Sequence, residues 1–257
     1  MTDAVGPVVI ACAMEEEAAP FLAALTPGEG IEVPRLPEGF RGPLTFAAGR
    51  LEGEDVVVAT TGIGMTNAAL AMSVVATQLS PRLVIFAGTT GGLGAEVGVG
   101  DVIVARSALY HDADATGFGY EPGQIPQMPA RYGADADLVE VAQAALEGIA
   151  AKRHTSEVSA SNSFVTASQV DAVREAFPQV LAVDMETAAG AQVCWAFAIP
   201  WIGLRAVSDL CDPSAATAFD ENAPSAAQCS FEAAVALLAR LAHRSGDEEG
   251  DGEHSGH

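Results

Sequence analysis

The side chains most able to do chemistry in this 257-residue chain are a few carboxylates that follow apolar runs. Glu15, Glu16 and Glu17 come after an apolar run near the amino terminus. Glu186 and Asp209 each follow a later apolar run, and an Ala-rich helical pattern joins those two runs. Because ligands bind at the carboxyl ends of strands in open α/β sheets, we expect Glu186 and Asp209 at neighbouring strand ends beside one ligand.

Each of these positions also has a purely structural interpretation. Acids in the first turn of a helix stabilise its positive end by roughly 0.3–1 kcal/mol each, which would explain Glu186 and most of residues 15–17. Ser208 and Asp209 could cap a short helix. The glycine-rich residues 88–92 match neither a dinucleotide fingerprint nor a P-loop, so a plain tight turn is an equal explanation. The residues alone therefore indicate only a small-molecule hydrolase or transferase.

The elements that must position these residues alternate along the chain. Short apolar runs predict buried strands at residues 7–13, 83–87, 180–183 and 201–207. Helical patterns cover residues 15–25, 65–79, 134–151, 187–197 and 225–243. Long irregular stretches predict loops at residues 110–131 and 212–224. This order predicts an α/β fold, a three-layer α/β/α sandwich around a mixed sheet.

Composition excludes some classes of partner. The net charge of −22, from 34 acids and 12 bases, disfavours nucleic acid and anionic membrane surfaces. No apolar run reaches the roughly 18 residues of a membrane helix. Four cysteines without CxxC spacing favour a reduced, cytoplasmic setting. The five histidines are scattered, so neither a metal nor another cofactor is indicated.

The chain is expected to fold as a single domain over residues 1–244. The remaining residues, 245–257, form a Gly-rich tail with five acids and no apolar residue. Such a segment cannot bury enough apolar surface to offset the entropy of ordering, so we expect it to be disordered.

Several motifs together resemble those of the 5′-methylthioadenosine/S-adenosylhomocysteine nucleosidases, within the nucleoside phosphorylase superfamily. The resemblance extends over nearly all of residues 7–244. The order and spacing of the motifs together are specific to this family, although no single motif is. The motifs are residues 13–17 (AMEEE), 62–64 (GIG), 88–92 (GTTGG), 111–120 (HDADATGFGY), 184–186 (DME) and 205–209 (RAVSD). The resemblance implies a nucleoside phosphorylase-like fold with a partly barrel-like central sheet.

The same resemblance implies roles for individual residues. Glu17 would activate the attacking water, Asp209 would protonate N7 of the purine, and Glu186 would bind the ribose hydroxyls. The other implied substrate-binding residues are Ile63, Thr89, Gly91, Phe164, Val165, Met185 and Ser208. A loop that reaches into the partner subunit's site, and therefore a homodimer, is implied at Phe118, Tyr120 and Pro126.

The implied reaction is hydrolysis of the N-glycosidic bond of 5′-methylthioadenosine and S-adenosylhomocysteine, with release of adenine. Since the acid must hold its proton near neutral pH, we expect a raised pKa for Asp209, an ionised Glu17 and a difference in burial between them. The absence of arginine from residues 1–34, together with the acidic charge, favours water over phosphate as the nucleophile.

The sequence departs from the family pattern at several positions, and three other interpretations of the function remain open. Thr89 and Thr90 replace the commoner Ser-Ala pair, residues 161–162 (SN) replace Gly-Asp, and Asp184 stands where Glu is frequent. The alternatives are a futalosine-type nucleosidase, a purine nucleoside phosphorylase, and a nucleoside-binding protein that has lost catalysis.

Overall fold

The computed structural model describes the backbone of residues 6–251 and the side chains of residues 6–244. The strands of this part of the chain are β1 Val8–Cys12, β2 Thr45–Leu51, β3 Glu54–Thr60, β4 Leu83–Gly92, β5 Val102–Tyr110, β6 Tyr132–Gly133, β7 Arg153–Ala160, β8 Val180–Asp184 and β9 Trp201–Asp209. Its α-helices are α1 Glu15–Ala24, α2 Met65–Gln78, α3 Ala136–Ala145, α4 Val170–Ala176, α5 Thr187–Ala196 and α6 Ala215–Asp251.

Both faces of the central sheet are covered, which is why its strands are nearly continuous apolar runs. Successive side chains of β1 alternate between two cores: Val8 and Ile10 belong to one, and Val9 and Ala11 to the other. Helices α1, α3 and α6 contribute to the first core, and helices α2 and α5 to the second. The predicted three-layer α/β/α sandwich is therefore confirmed.

The sheet is mixed and partly closed. Its strand order is β2-β3-β1-β4-β8-β7-β5-β6, while β9 pairs with both β4 and β5. The pairs β4–β9, β9–β5, β5–β7, β7–β8 and β8–β4 therefore complete a ring. The last of these is short, joining only Gly91 to Val183 and Gly92 to Ala182. This ring confirms the partly barrel-like sheet.

One expectation about the sheet is wrong. Strands β8 and β9, which precede Glu186 and contain Asp209, do not pair with each other, because β4 pairs with both. Strand β4 also continues to Gly92, through the residues expected to form a tight turn. The two carboxylates are thus brought together across the glycine-rich end of β4, which lacks bulky side chains at that point.

The predicted loop at residues 212–224 is also wrong, because α6 already begins at Ala215. Pro224 lies inside this helix, so proline did not mark its start. Helix α3 ends at Ala145 and continues only as a 3-10 turn, earlier than the sequence pattern predicts. Residues 111–131 are irregular apart from a short 3-10 turn at Thr116–Phe118, which confirms the predicted loop except at Tyr110, the last residue of β5.

Side chains beyond residue 244, and all of residues 252–257, lie outside the described residues. The prediction of a disordered acidic tail at residues 245–257 therefore stays a prediction. Among the described helices, none is both long enough and apolar enough to cross a membrane.

Candidate active site

A cavity of about 380 Å³ opens at the carboxyl ends of β1, β4, β8 and β9. Three carboxylates that are far apart in the sequence, Glu17, Glu186 and Asp209, all line it. The predicted site residues that also line it are Ile63, Thr89, Gly91, Phe164, Met185 and Ser208. Val165 lines a smaller adjoining cavity of about 30 Å³, which also borders Phe164 and Asp209.

The Glu17 carboxylate is fixed by hydrogen bonds to both of its oxygens. Its Oε2 accepts from the backbone amides of Ala13 at 2.8 Å and Met14 at 3.1 Å. Its Oε1 accepts from the amide of Thr89 at 2.7 Å and from the Thr89 hydroxyl at 2.8 Å. These four donors occupy the roughly four acceptor positions of a carboxylate.

Gly88 makes room for that carboxylate. Its φ is +126°, and a Cβ at this position would lie 2.4 Å from the Glu17 carboxyl carbon. The Gly88 amide donates to Ser230 Oγ at 2.7 Å, which connects this end of β4 to α6. A glycine is therefore required here both by backbone conformation and by close approach.

Asp209 lies at the end of β9 with a relative exposure of 1%. Its Oδ1 accepts from the amide of Cys211 at 3.0 Å, and its Oδ2 accepts from the Ser208 hydroxyl at 3.0 Å. Burial raises the pKa of the Asp209 carboxyl, and these hydrogen bonds oppose the rise. The expected direction of the shift is confirmed.

The expected difference in burial between the two acids is wrong. Glu17 is 2% exposed and Asp209 is 1% exposed, so both are removed from solvent. Their hydrogen bonding differs: Glu17 accepts four hydrogen bonds, three of them from backbone amides. Asp209 accepts one from a single backbone amide, one from the Ser208 hydroxyl and one from the Cys211 side chain. Donors aimed at a carboxylate favour its charged form.

Glu186 faces the cavity beside a buried ion-pair network. Its Oε1 accepts from the amide of Gly64 at 2.8 Å, just before α2. Its Oε2 lies 3.6 Å from a terminal nitrogen of Arg205, whose Nε is 2.8 Å from Asp184 Oδ2. Arg205 is therefore the buried partner of two acids. Burial raises the pKa of Glu186 from its usual 4.5 to about 7, although Arg205 opposes this rise.

Sequence reasoning missed part of the cavity wall. Met14, Phe219 and Asp220 line the cavity but were not predicted as site residues. Phe219 packs edge-on against Phe164, with ring centroids 5.9 Å apart. The missed signal is the helical spacing of Ala215 and Ala223, which lie eight residues apart in the stretch assigned to a loop and are both buried.

The residues predicted to serve a partner subunit do not reach this cavity. Phe118, Tyr120 and Pro126 are absent from its lining, and the Phe118 side chain is 88% exposed. Among the described side chains, no group of three or more His, Cys, Asp or Glu is placed to hold a metal ion.

Comparison with known proteins gives the class first. A family model described as the phosphorylase superfamily matches residues 7–239. This match agrees with the mixed sheet and its strand-end cavity, which together define a phosphorylase-superfamily protein.

Individual relatives narrow the class. A 5′-methylthioadenosine/S-adenosylhomocysteine nucleosidase from Staphylococcus carnosus is 37% identical over 230 residues, covering 89% of this chain and 97% of that protein. The structure of such a nucleosidase from Colwellia psychrerythraea with adenine has a TM-score of 0.85 and 33% identity, covering 92% of this chain and 96% of that chain. The futalosine hydrolase of Helicobacter pylori has a TM-score of 0.81 at 25% identity, covering 91% and 97% of the two chains. The chain belongs to the 5′-methylthioadenosine/S-adenosylhomocysteine nucleosidase family.

The buried carboxyl of Glu186 predicts a pH dependence of stability. Because its pKa is raised in the folded state, folding takes up a proton between about pH 4.5 and 7. The stabilisation is therefore complete below about pH 4.5 and is lost as the pH rises through about 7. Relative to Glu186→Gln, the free energy of unfolding of the wild type should fall by on the order of 1–3 kcal/mol across that window. Chemical denaturation at several pH values measures it.

The control is Glu175→Gln, which changes an exposed acid on α4. The difference in free energy of unfolding between Glu175→Gln and the wild type should not change over the same pH range. If the difference in free energy of unfolding between Glu186→Gln and the wild type also did not change with pH, the raised pKa of Glu186 would be contradicted.

Proposed function

We propose that this chain hydrolyses the N-glycosidic bond of 5′-methylthioadenosine and S-adenosylhomocysteine, releasing adenine and the 5-thioribose product. The observation that carries the proposal is the cavity shared by Glu17, Glu186 and Asp209. General acid–base catalysis needs one group that holds a proton and one that accepts it. We propose Asp209, whose pKa is raised by burial, as the proton donor and Glu17, whose carboxylate accepts four hydrogen bonds, as the proton acceptor.

The reaction balances with these two residues alone. The bond between the sugar C1′ and the adenine N9 breaks, and its electron pair stays with the base. Asp209 gives its proton to N7, so that neutral adenine leaves. A water molecule bonds to C1′ while Glu17 takes its proton. Solvent exchange then returns a proton to Asp209 and removes one from Glu17.

Thr89 has a particular part in this step, because the acceptor positions of Glu17 are full in the ligand-free protein. Backbone amides cannot turn away, whereas the Thr89 hydroxyl can rotate about its side-chain bond. When water binds, this hydroxyl would release Glu17 Oε1 and the water would take its place. The freed hydroxyl is then available to the water or to the ribose.

Charge in the cavity favours water over phosphate as the nucleophile. Among the described residues, its lining contains no Lys, Arg or His. Arg205 is 2% exposed and is paired with Asp184 and Glu186 behind the cavity. A phosphate dianion would therefore meet uncompensated carboxylates, while a sugar that develops positive charge would be stabilised by them.

The observations favour the thio-nucleosides over futalosine. The chain is 33% identical to the adenine-bound nucleosidase structure and 25% identical to the futalosine hydrolase structure, at similar coverage. An assay of both nucleosides side by side compares the two candidate functions.

We also propose a cytoplasmic homodimer that acts in methionine salvage. An aromatic side chain that is 88% exposed, as Phe118 is, suits insertion into another subunit. We propose that Phe118, Tyr120 and Pro126 complete the cavity of the partner subunit. Residues 1–244 are proposed to act as one domain, with the acidic tail outside it.

Asp209→Asn tests the proposed acid. It keeps the size of the side chain but cannot hold a proton for N7, so kcat for adenine release should fall by about 10²–10⁴-fold. Binding of 5′-methylthioadenosine, measured by titration calorimetry, should be retained.

The matched control is Asp137→Asn, which alters an exposed carboxylate on α3, outside the cavity lining. It should leave kcat unchanged. All assays use phosphate-free buffer. If Asp209→Asn turned over at close to the wild-type rate, the assignment of Asp209 as the acid would be refuted. If the wild type released adenine only when phosphate was present, the proposed hydrolysis would be refuted.

A further inference from the structure

Behind Glu186, a threonine hydroxyl joins the buried arginine to its acid partner. Thr187 is fully buried and does not line the cavity. Its hydroxyl donates to Asp184 Oδ2 and accepts from Arg205 Nε at 2.9 Å. Because a hydroxyl has a single proton, donating to Asp184 fixes its orientation and turns a lone pair toward Arg205.

The guanidinium of Arg205 extends this network to two parts of the proposed site. One terminal nitrogen donates to the carbonyl of Thr89 at 3.0 Å, and the other lies 3.6 Å from Glu186 Oε2. Nε is held by Asp184 at 2.8 Å as well as by Thr187. Since the guanidinium is planar and rigid, fixing Nε also fixes the direction of both terminal nitrogens.

We propose that Thr187 is a positioning residue for the ribose-binding carboxylate. Its hydroxyl holds the plane of the Arg205 guanidinium, and Arg205 in turn holds Glu186 Oε2 where ribose hydroxyls can reach it. This inference rests on the proposed function and adds a residue that touches neither substrate nor water.

The helix start does not need the hydroxyl. Asp184 Oδ1 accepts from the amides of Glu186 and Thr187, each at 3.0 Å, and so caps the first turn of α5 through backbone groups. The direct ion pair between Asp184 and Arg205 is also independent of Thr187. Thr187→Val therefore removes the hydroxyl while keeping the shape of the side chain, the helix cap and the ion pair.

Steady-state kinetics with 5′-methylthioadenosine test the proposal. Thr187→Val should raise KM by about tenfold with a much smaller change in kcat, because a loosened ribose contact weakens binding of ground state and transition state alike. Thr187→Ser keeps a hydroxyl and should restore KM to near the wild-type value. If the valine variant does not fold, Thr187→Ala replaces it in the comparison with Thr187→Ser.

Ser156→Ala is the matched control. This serine is 2% exposed, and its hydroxyl accepts from the amide of Leu181 and donates to the carbonyl of Glu157, away from the cavity. Losing its hydroxyl should lower the melting temperature without changing KM. A merely structural Thr187 would behave in the same way.

A second readout uses the 2′-deoxy analogue of 5′-methylthioadenosine. If Thr187 acts by positioning Glu186 for the ribose hydroxyls, a nucleoside that lacks one of these hydroxyls should depend less on Thr187. The ratio of KM between Thr187→Val and wild type should then be smaller for the deoxy analogue than for the parent nucleoside.

The outcomes separate this inference from the proposed function. A wild-type protein that releases no adenine would refute the proposed function itself. With an active wild type, the inference fails if Thr187→Val keeps the wild-type KM, if its loss lies only in kcat, or if Thr187→Ser is equally impaired. It also fails if the KM ratio is the same for the parent and deoxy nucleosides.

Discussion

The arrangement of this site depends on an imbalance of buried charge. Glu17, Asp184, Glu186 and Asp209 are each less than one-tenth exposed, while Arg205 is the buried cation among them in the described part of the chain. Burying a charge is costly unless it is paired or hydrogen-bonded. Asp184 is paired with the arginine, and four hydrogen-bond donors stabilise the Glu17 carboxylate. Burial raises the pKa values of Glu186 and Asp209.

This distribution of charge is the basis of the different roles proposed for Glu17 and Asp209. We propose that Glu17, whose carboxylate accepts four hydrogen bonds, takes the proton of a water molecule. We propose that Asp209, whose pKa is raised by burial, gives a proton to the base. Glu17 and Asp209 are similarly buried, so we propose that the backbone amides of β4 and of the turn after β1 distinguish their roles. In this proposal the fold controls the chemistry through the placement of amides.

Much of the fold and site could be predicted from the sequence, because strongly apolar strands and their following polar residues are local signals. Glu17, Glu186 and Asp209 were placed at one cavity by that logic together with a family resemblance. Strand adjacency could not be predicted in the same way, since the pairing of β4 between β8 and β9 depends on long-range contacts. The start of α6 was missed because Pro224 suggests a boundary, although tertiary packing carries the helix past it.

Because the cavity has an excess of carboxyl groups around the proposed sugar position, it should bind a cation more tightly than a neutral molecule of the same shape. The most direct measurement is titration calorimetry with two analogues of 5′-methylthioadenosine, one with a protonated nitrogen in the sugar ring and one with a neutral ring. We expect the cationic analogue to bind at least about 10²-fold more tightly, as transition-state analogues do. Equal affinities for the two would contradict the account.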